Sequence, residues 1–567
     1  MKAKRIVASL LMTAMLVTSF AGCAKKAPDE VKDNKPTQGA ESNNNTNTDN
    51  SGNVTPTPVA EKTWPDDVSV SWYIRGGAAD FNNYLYKDLK GIHKIEETTG
   101  IDIDFNVVNA PSNGEIDEQY LLMIAGGNYP DVIQYLHNEV YSGGVPKLNE
   151  EGVCIELNDL IENYMPNLKK ILEENPELAR DMRNDEGKYL YFTKLNTFNK
   201  LEDVLDISWW GFLMRKDWLE NVGLEAPKTL DEWYTVLSAF KTQDPNGNGL
   251  QDEIPFDAGA GAISMFMPAF GFLNGVYLDE NGKVGYGQAS TEYKEFLETM
   301  NKWYNEGLIA NVFDENGKPV SSSITDENIY ADISGSWKGL ANNWEQRLPK
   351  VLEKNPNADL VAVPWITTAD GNKYTPNTYF THIGREQILI TPDCKYPEAV
   401  ATVIDYMYSE EGSRLLTWGI EGETYETKAD GTRQLTDYAN EVIEYYDGKF
   451  PRIFSYAMSH VGFPRIDSND FSASSKGEQY TSACELWADA SRELLYPTSI
   501  VLTPAEREAA IGTTTDLADY IAEMQLKFIT GEEPLTNYDN YLSTLDKMGI
   551  NKLIQAHQDA YDRYLAR

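Results

Sequence analysis

The chain is poor in the residues that hold transition metals or build disulfide frameworks. Its 567 residues include four cysteines and five histidines. Cys154, Cys394 and Cys484 lie far apart, form no C-x-x-C pair and leave an odd number once Cys23 is set aside. The sequence therefore favours neither a zinc centre nor a disulfide framework, although it leaves open a single bridge among these three thiols.

Basic residues are also scarce relative to acidic ones. Lys and Arg total 49 against 88 Asp and Glu, which gives a formal net charge of -39. A charge of this sign and size repels nucleic acids and anionic bilayers, so neither is expected as a partner. It also disfavours a strongly anionic ligand, unless local Arg and Lys side chains override the field.

Long apolar runs are absent after the first residues, so no transmembrane helix is predicted there. At the start, Lys2, Lys4 and Arg5 precede the apolar stretch 6–17, which is too short to span a bilayer. This arrangement predicts an export signal peptide over residues 1–22.

The signal ends in Phe20-Ala-Gly-Cys23, which resembles the lipobox of bacterial lipoproteins. In that motif the cysteine is lipidated and becomes the new N-terminus. We therefore expect lipidation of Cys23 and attachment to the outer face of the bacterial cytoplasmic membrane. The alternative is cleavage by ordinary signal peptidase, which would release a secreted protein.

Residues 23–64 contain few apolar side chains and many Asn, Thr, Ser and Pro. Such a segment cannot bury a core, so we expect a disordered tether. The remaining chain is too long for a single core and suggests at least two domains. The mean hydropathy of the whole chain, -0.47, and its 41% hydrophobic residues are typical of a globular protein.

After the tether, β-rich segments alternate with helical ones. Strand patterns cover 68–74, 101–108 and 131–135, and helical patterns cover 82–98 and 115–125. This order predicts a parallel α/β sheet with right-handed crossovers.

Ligands of open α/β sheets bind beyond the carboxyl ends of the strands. Trp72, Arg75 and Tyr135 lie at or near such ends. We therefore include all three among the candidate ligand-binding residues, with a solvated lobe surface as an equal alternative for Arg75.

The run Asp244-Pro-Asn-Gly-Asn-Gly-Leu-Gln-Asp-Glu253 places oxygen side chains at every second position. Ca²⁺ needs six to eight oxygens, and the first half of the run matches the start of an EF-hand loop. The predicted calcium ligands are Asp244, Asn246, Asn248, the Leu250 carbonyl, Asp252 and Glu253. The twelfth position is Pro255, so the closing carboxylate has to come from Asp252 or Glu253. The alternative is a loop of ordinary Asx turns.

Around this loop the chain resembles a known family. The segments 213–219 and 222–233, followed by the calcium loop and Ile254-Pro255, resemble family 1 extracellular solute-binding proteins. They are most similar to the lipoprotein branch that includes the calcium-containing alginate-binding proteins. The resemblance covers nearly everything after residue 65.

The resemblance implies an α/β, two-lobed periplasmic-binding-protein-like fold. Each lobe would be a mostly parallel sheet flanked by helices, with the ligand cleft between the lobes. The expected first lobe is 65–193 plus 376–430, and the expected second lobe, with the calcium loop, is 194–375 plus 431–567.

The resemblance further implies a non-enzymatic receptor of an ABC importer that captures an oligosaccharide. It would act as a monomer and deliver the sugar to the permease subunits. Sugars bind to exposed aromatic planes and short polar side chains. The segment Ser334-Gly-Ser-Trp337 resembles the part of the family that presents a sugar-stacking tryptophan. The candidate set is therefore Trp337, Trp210, Trp209, Tyr135, Trp72, Arg75 and Trp418.

Two alternatives remain open from the sequence. A surface-anchored glycosidase needs only two carboxylates, which have no sequence signature among 88 acidic residues. A receptor of the same fold for a non-sugar solute is the other. No nucleophile-elbow, zinc-protease or Walker motif is present in the sequence.

Overall fold

The computed structural model describes residues 62–75, 89–108, 110–197, 208–257, 259–310, 326–377, 381–439, 462–466, 477–510 and 515–567. All of them belong to the compact unit Thr57–Arg567. The predicted signal peptide, Cys23 and nearly all of the predicted tether lie outside the described residues. Within the described ranges, no helix is both long enough and apolar enough to cross a bilayer.

The strands in chain order are β1 (Ser69–Arg75), β2 (Asp102–Val108), β3 (Val132–Tyr135), β4 (Lys194–Leu195), β5 (Trp210–Arg215), β6 (Val276–Leu278), β7 (Val284–Tyr286), β8 (Ser336–Leu340), β9 (Leu360–Val363), β10 (Gln387–Ile390), β11 (Tyr425–Thr427), β12 (Arg433–Leu435) and β13 (Arg465–Ile466).

The helices are α1 (Lys90–Thr99), α2 (Asn113–Gly126), α3 (His137–Val140), α4 (Gly144–Glu150), α5 (Asn158–Tyr164), α6 (Pro166–Glu174), α7 (Pro176–Met182), α8 (Lys216–Val222), α9 (Leu230–Thr242), α10 (Ala260–Ile263), α11 (Tyr293–Asn305), α12 (Asp326–Tyr330), α13 (Asn343–Gln346), α14 (Leu348–Lys354), α15 (Pro397–Tyr408), α16 (Glu410–Trp418), α17 (Glu478–Ala488), α18 (Pro504–Ala510), α19 (Thr515–Thr530), α20 (Tyr538–Met548) and α21 (Ile550–Leu565). Short 3₁₀ helices cover Ser264–Phe270, Gly287–Ala289 and Leu535–Asn537.

The first sheet has the strand order β10-β3-β1-β2. β1 pairs in parallel with both β2 and β3, as the alternation of strands and helices predicts. β10 returns from much later in the chain and pairs antiparallel with β3. The carboxyl ends of β1 and β3 therefore meet at one edge of this sheet, beside the amino end of β10.

The second sheet has the order β8-β5-β9, and both outer strands run antiparallel to β5. The expectation of a mostly parallel sheet is wrong for these strands. β8 and β9 do run in the same direction, with α13 and α14 in the connection between them. The earlier strand β5 lies between them and runs the opposite way, so it interrupts the parallel pair.

Two hydrophobic cores surround these sheets. We call the part of the chain around the first core the first lobe (described residues of 62–197, 381–439 and 462–466). The second lobe comprises the described residues of 208–377 and 477–567. The precise boundaries expected from the sequence stay predictions; Leu195 and Phe463, on the crossing segments, belong to the first core.

Helix α9 shows how local sequence prepares the second lobe. Thr229 precedes the helix, and its hydroxyl accepts a hydrogen bond from the Glu232 N–H, while the Glu232 carboxylate accepts one from the Thr229 N–H. This capping box satisfies N–H groups that the first turn would leave unpaired. The buried face, with Trp233, Leu237 and Phe240, follows the spacing of an amphipathic helix. The calcium loop begins directly after this helix.

A buried arginine is the last residue of β5, at the carboxyl end of the strand. Arg215 is 1% exposed and donates two hydrogen bonds to the Asp217 carboxylate, at 2.8 and 2.6 Å. Its third contact is an ion pair with Asp332. The Asp332 carbonyl in turn accepts a hydrogen bond from the Asn246 amide at 2.9 Å. The loop after α9 is thus attached to the end of the central strand.

In the first lobe, a buried carboxylate on α15 caps α6. Asp405 accepts hydrogen bonds from the Leu168 N–H at 2.9 Å and from the Asn167 side-chain amide at 2.8 Å. Burial raises the pKa of Asp405 to about 6, against the opposing effect of these hydrogen bonds.

We expect Asp405→Asn to make stability less dependent on pH. The folded-state pKa of about 6 lies above the unfolded value of about 3.9, so the folded state binds this proton more tightly. The group's stabilising contribution is full below about pH 4 and is lost as pH rises through about 6. Urea unfolding should show the variant gaining on the order of 2 kcal/mol relative to the unaltered chain between these limits.

The control is Asp231→Asn, which removes one carboxylate from an exposed position in the first turn of α9. A stability difference for Asp405→Asn that stays constant across the same pH range would contradict the assignment.

Candidate functional site

A chain of hydrogen-bonded polar groups lies near the edge of the first sheet where the carboxyl ends of β1 and β3 meet. The Trp72 indole N–H donates to the Gln134 carbonyl oxygen at 3.1 Å. The Gln134 amide then donates to the Glu386 carboxylate at 2.7 Å, which also accepts from the Gly462 N–H at 3.2 Å. We call Trp72, Gln134 and Glu386 the polar chain. It links three segments that are far apart in sequence.

The register of the sheet explains why these groups meet. Ile74 of β1 pairs with Gln134 of β3, close to the carboxyl ends of both strands. Glu386 directly precedes β10, whose amino end lies at the same edge because β10 is antiparallel to β3. Burial raises the pKa of Glu386, while the Gln134 and Gly462 hydrogen bonds and the positive charge of Arg75 lower it.

Arg75, the last residue of β1, lies at the same edge. Its guanidinium donates to the Asn113 side-chain oxygen at 2.8 Å and lies 6.0 Å from the centre of the Tyr135 ring. Its Nε is buried and has no hydrogen-bond partner among the described residues. A buried donor of this kind is costly to leave unpaired, so it suits a ligand acceptor.

Two predicted aromatic platforms in the first lobe are enclosed. Trp72 is 1% exposed and packs between Phe105 and Phe463, with ring centres 5.8 Å from each. Tyr135 is fully buried, stacks on Tyr120 at 4.1 Å and donates its hydroxyl to Asp117 at 2.6 Å. Neighbouring side chains cover both rings in the structure, and a part for Trp72 and Tyr135 in sugar binding stays a prediction. Both residues instead support the edge that carries Arg75 and the polar chain.

The second lobe presents a different chemistry at the amino end of β5. The Lys338 ammonium lies 4.4 Å from the centre of the Trp210 ring, and Trp365 contacts that ring edge-on at 5.6 Å. Burial lowers the pKa of Lys338. No carboxylate among the described residues forms an ion pair with this ammonium. We call Trp210, Lys338 and Trp365 the aromatic end.

Trp337, the leading sequence candidate, is 0% exposed and belongs to the second core. Its indole N–H donates to Asn343 at 3.2 Å, and it pairs with Leu213 across the sheet. A sugar-stacking ring needs an open face, and the Trp337 ring is covered here, so its ligand role stays a prediction. Trp337 and Lys338 point to opposite faces of the strand, and Lys338 shares its face with Trp210 and Phe212.

The remaining candidates divide between the lobes. Trp209 is half-buried, packs against the second core and lies next to Trp210. Trp418 is 1% exposed and packs with Tyr425 and Leu435 in a small separate cluster. The structure thus brings Trp72, Arg75 and Tyr135 together, brings Trp209 and Trp210 together, and leaves Trp418 apart from both groups.

Cavities in the described part of the chain lie elsewhere. Two, of about 320 and 770 Å³, lie between first-lobe residues around α7 and second-lobe residues of 490–507 and the C-terminus, and none of the seven candidates lines them. A third, of about 390 Å³, is lined by Trp418 and Arg433. The case for the two strand-end groups therefore rests on hydrogen bonding and charge.

Sequence reasoning missed Gln134, Glu386 and Lys338. Gln134 is a buried amide in an otherwise apolar strand, and Glu386 directly precedes another apolar strand. A polar residue next to a buried strand end was the available signal in both cases. Lys338 directly follows Trp337 in β8. Because side chains alternate between the two faces of a strand, the sequence could have placed Lys338 on the opposite face from Trp337.

The calcium loop brings its polar atoms inward. The Asp244 carboxylate accepts from the Asn248 and Gly249 N–H groups at 3.1 and 3.0 Å, and φ at Asp244 is +48°. The Asn248 amide donates to Asp252 at 3.0 Å. Asx turns are therefore present, as the alternative reading expected, and they fold the loop around its oxygens.

Glu253 is the residue that best shows whether this loop suits a cation. Its side chain is buried at 2% exposure, and neither carboxylate oxygen has a hydrogen-bond partner among the described residues. Burial raises its pKa, and the nearby Asp252 and Asp244 raise it further. No three His, Cys, Asp or Glu side chains in the described ranges converge as a metal cluster. The loop's donors instead include two Asn amides and a backbone carbonyl, as hard cations accept.

Comparison with known proteins places the chain in a family. Residues 78–414 match the family model "Bacterial extracellular solute-binding protein", which is more than half of the chain. The chain is 28% identical over 497 residues to the fructooligosaccharide ABC transporter substrate-binding protein FusA of Streptococcus pneumoniae, covering 84% of this chain and 87% of that relative. It is 24% identical to lipoprotein LipO of Bacillus subtilis, over 81% and 86% of the two chains.

Solved structures agree on the fold. The complex of FusA with kestose superposes with a TM-score of 0.64 at 25% identity, covering 88% of this chain and 99% of that one. FusA is also known as an EF-hand mutant in complex with fructo-nystose, with a TM-score of 0.65. The alginate-binding protein AlgQ2, solved without calcium ion, superposes at 0.63 with 20% identity over 89% of this chain.

These matches confirm the predicted two-lobed fold and the predicted solute-binding class. FusA, LipO and AlgQ2 are named as binding proteins or as a lipoprotein, and none is named as an enzyme. The chain belongs to the family of bacterial extracellular solute-binding proteins.

Proposed function

We propose that this protein is the substrate-binding component of an ABC importer and captures an oligosaccharide between its lobes. The proposal depends most on one observation: the groups at the strand ends of the two lobes differ in chemistry. The first lobe offers Arg75 and the polar chain, whose groups can donate hydrogen bonds to hydroxyls and accept them. The second offers the Lys338 ammonium, which can donate to a sugar's oxygens, while Trp210 beside it is 8% exposed and supports the ammonium from below. FusA, the relative seen with kestose, supports a sugar ligand.

Capture follows from contacts to both lobes. A ligand that binds Arg75 and Glu386 on one side and Lys338 on the other has more contacts when the lobes are closed. It therefore stabilises the closed state, because an equilibrium shifts toward the state a ligand binds better. The closed receptor then presents the sugar to the membrane subunits of the importer.

We infer that the sugar leaves unchanged, so the protein is not an enzyme. A glycosidase needs two carboxyl groups flanking the scissile bond, one of them with a raised pKa. Glu386 has a raised pKa, and it accepts hydrogen bonds from Gln134 and Gly462 at one oxygen, Oε2. A carboxylate held in this way suits acceptance of a hydroxyl hydrogen bond at its other oxygen, and no second carboxyl group of the described residues is paired with it across a bond to be cleaved.

For the N-terminal segment and the lobe boundaries, our proposals are those made from the sequence. We propose that residues 1–22 are removed, that Cys23 is lipidated and that residues up to 64 form the tether. LipO, similar over most of its length and named a lipoprotein, supports this anchor. The lobe boundaries expected above and a monomeric state belong to the same proposal.

We also propose that the calcium loop binds one structural Ca²⁺. Asp244, Asn246, Asn248, Asp252, Glu253 and the Leu250 carbonyl would hold it. The ion would neutralise the Glu253 carboxylate, which is buried without a partner. Through Asn246 and Asp332 it would stabilise the Arg215 network at the end of β5 that lies opposite the aromatic end.

Lys338→Gln tests the sugar site. Removing the ammonium takes away a charged hydrogen-bond donor, which is worth roughly 1.5–3 kcal/mol, so affinity should fall about tenfold or more. Calorimetry with kestose and nystose measures this, and chromatography of the recovered glycan tests whether it is intact.

The matched control is Lys350→Gln on α14. Its ammonium also lies over a ring, 5.1 Å from the centre of Tyr330, but away from the aromatic end. Equal losses in both variants would point to a general charge effect. If the protein bound no glycan of a broad panel, or cleaved one, the sugar-receptor proposal would be wrong.

Glu253→Gln tests the calcium proposal, because its effect on the melting temperature should have opposite signs in EDTA and in Ca²⁺. In EDTA the variant should melt higher than the unaltered chain, because it no longer buries an unpaired charge. With Ca²⁺ the order should reverse, since binding at about a hundred times Kd adds about 2.7 kcal/mol to the unaltered chain alone.

The control for this experiment is Asp279→Asn. Asp279 forms a comparable turn between β6 and β7, accepting from the Asn281 and Lys283 N–H groups at 2.9 Å. It should leave the Ca²⁺ response intact. Identical melting of the unaltered chain in EDTA and in Ca²⁺ would count against the site.

A further inference from the structure

Helix α2 leaves two leucines in contact with water. Leu122 is 71% exposed and Leu121 is 40% exposed. The opposite face of the helix is fully occupied, because Ile116, Tyr120 and Ile124 are buried in the first core. The exposed leucines therefore do nothing for the fold, although exposing them is unfavourable.

The surface around these leucines is small and open. Ala125, Gly126 and Gly127 follow at the end of the helix and are exposed. A Cβ added at Gly126 or Gly127 would meet no atom within 4 Å. We call Leu121, Leu122, Ala125, Gly126 and Gly127 the α2 patch. All five residues are apolar or glycine, and all five are exposed.

The same helix begins at the candidate sugar site. Asn113, in its first turn, accepts the hydrogen bond from Arg75 at 2.8 Å. Asp117, one turn later, accepts from the Tyr135 hydroxyl at 2.6 Å. The helix is thus fixed at one end to the edge of the first sheet that carries Arg75 and Tyr135, and it carries the patch at its other end. When this edge of the sheet moves, the patch therefore moves with it.

Charge selects the kind of partner. Glu115 and Glu118 are exposed on the preceding turns of α2, and the chain as a whole carries a formal net charge of -39. A second copy would bring the same carboxylates against these two, and an anionic bilayer would repel them. A protein surface with apolar side chains next to Lys or Arg is complementary to both features.

We propose that the α2 patch docks onto the membrane subunits of the importer. This proposal rests on the proposed function, and it assigns the first-lobe surface through which the receptor reports its state to the permease.

The experiment uses the source bacterium with its own importer, its native copy of this gene being replaced by each variant. The variant Leu121→Glu/Leu122→Glu adds charge to the patch. Both positions are exposed, so folding and calorimetric glycan affinity should stay unchanged. Uptake of radiolabelled kestose, or of the panel glycan that binds most tightly, should fall at least about tenfold, as for a central interface contact.

The matched control is Leu352→Glu, an exposed leucine on α14 in the second lobe with 37% exposure. It should retain uptake. A second variant, Glu115→Lys/Glu118→Lys, tests the charge argument: uptake should fall because a basic partner would now be repelled, again with unchanged glycan affinity.

Unchanged uptake in the Leu121→Glu/Leu122→Glu variant would overturn the docking proposal while leaving the sugar receptor intact. A dimer of the unaltered chain by light scattering that the variant abolishes would instead assign the patch to a second copy. Co-sedimentation of the unaltered chain with phosphatidylcholine–phosphatidylglycerol vesicles, lost in the variant, would assign it to lipid. If the unaltered chain neither binds nor imports a glycan, the proposed function fails and the docking proposal fails with it.

Discussion

The second lobe depends on a single buried cation at the end of its central strand. Arg215 has no water to solvate it, so its charge is tolerable only because Asp217 and Asp332 enclose it. Those two carboxylates lie on different segments, and Asp332 extends the network to the loop after α9. These two ion pairs thereby fix the strand, the helix α8 and the loop relative to one another.

The Arg215 network lies at the opposite end of β5 from the aromatic end. β5 is only six residues long, with Arg215 at its carboxyl end and Trp210 at its amino end. The calcium loop attaches at the first of these ends, and the aromatic end lies at the second. A cation bound in the loop would thus stiffen the sheet without approaching a ligand at the other end.

Much of the first lobe could be predicted from sequence, because alternating strands and helices have only a few connected arrangements. The second sheet could not, since β5 is inserted between strands that follow more than a hundred residues later. Trp337 shows the limit for site residues: the small residues Ser334-Gly-Ser before it suggested an open strand end, but its ring packs into the second core. Glu386 was hidden for another reason, because only the long-range pairing of β10 brings it beside Gln134.

The late arrival of edge strands has a consequence for biogenesis. The first sheet lacks β10 until residue 390 is available, and the second lacks β9 until residue 363. A chain threaded through a membrane from its N-terminus can complete neither sheet during roughly the first two thirds of its passage. Non-local pairing of this kind forms slowly and leaves apolar strand edges open to aggregation. Chaperoning on the far side of the membrane should therefore matter more for this protein than its final stability suggests.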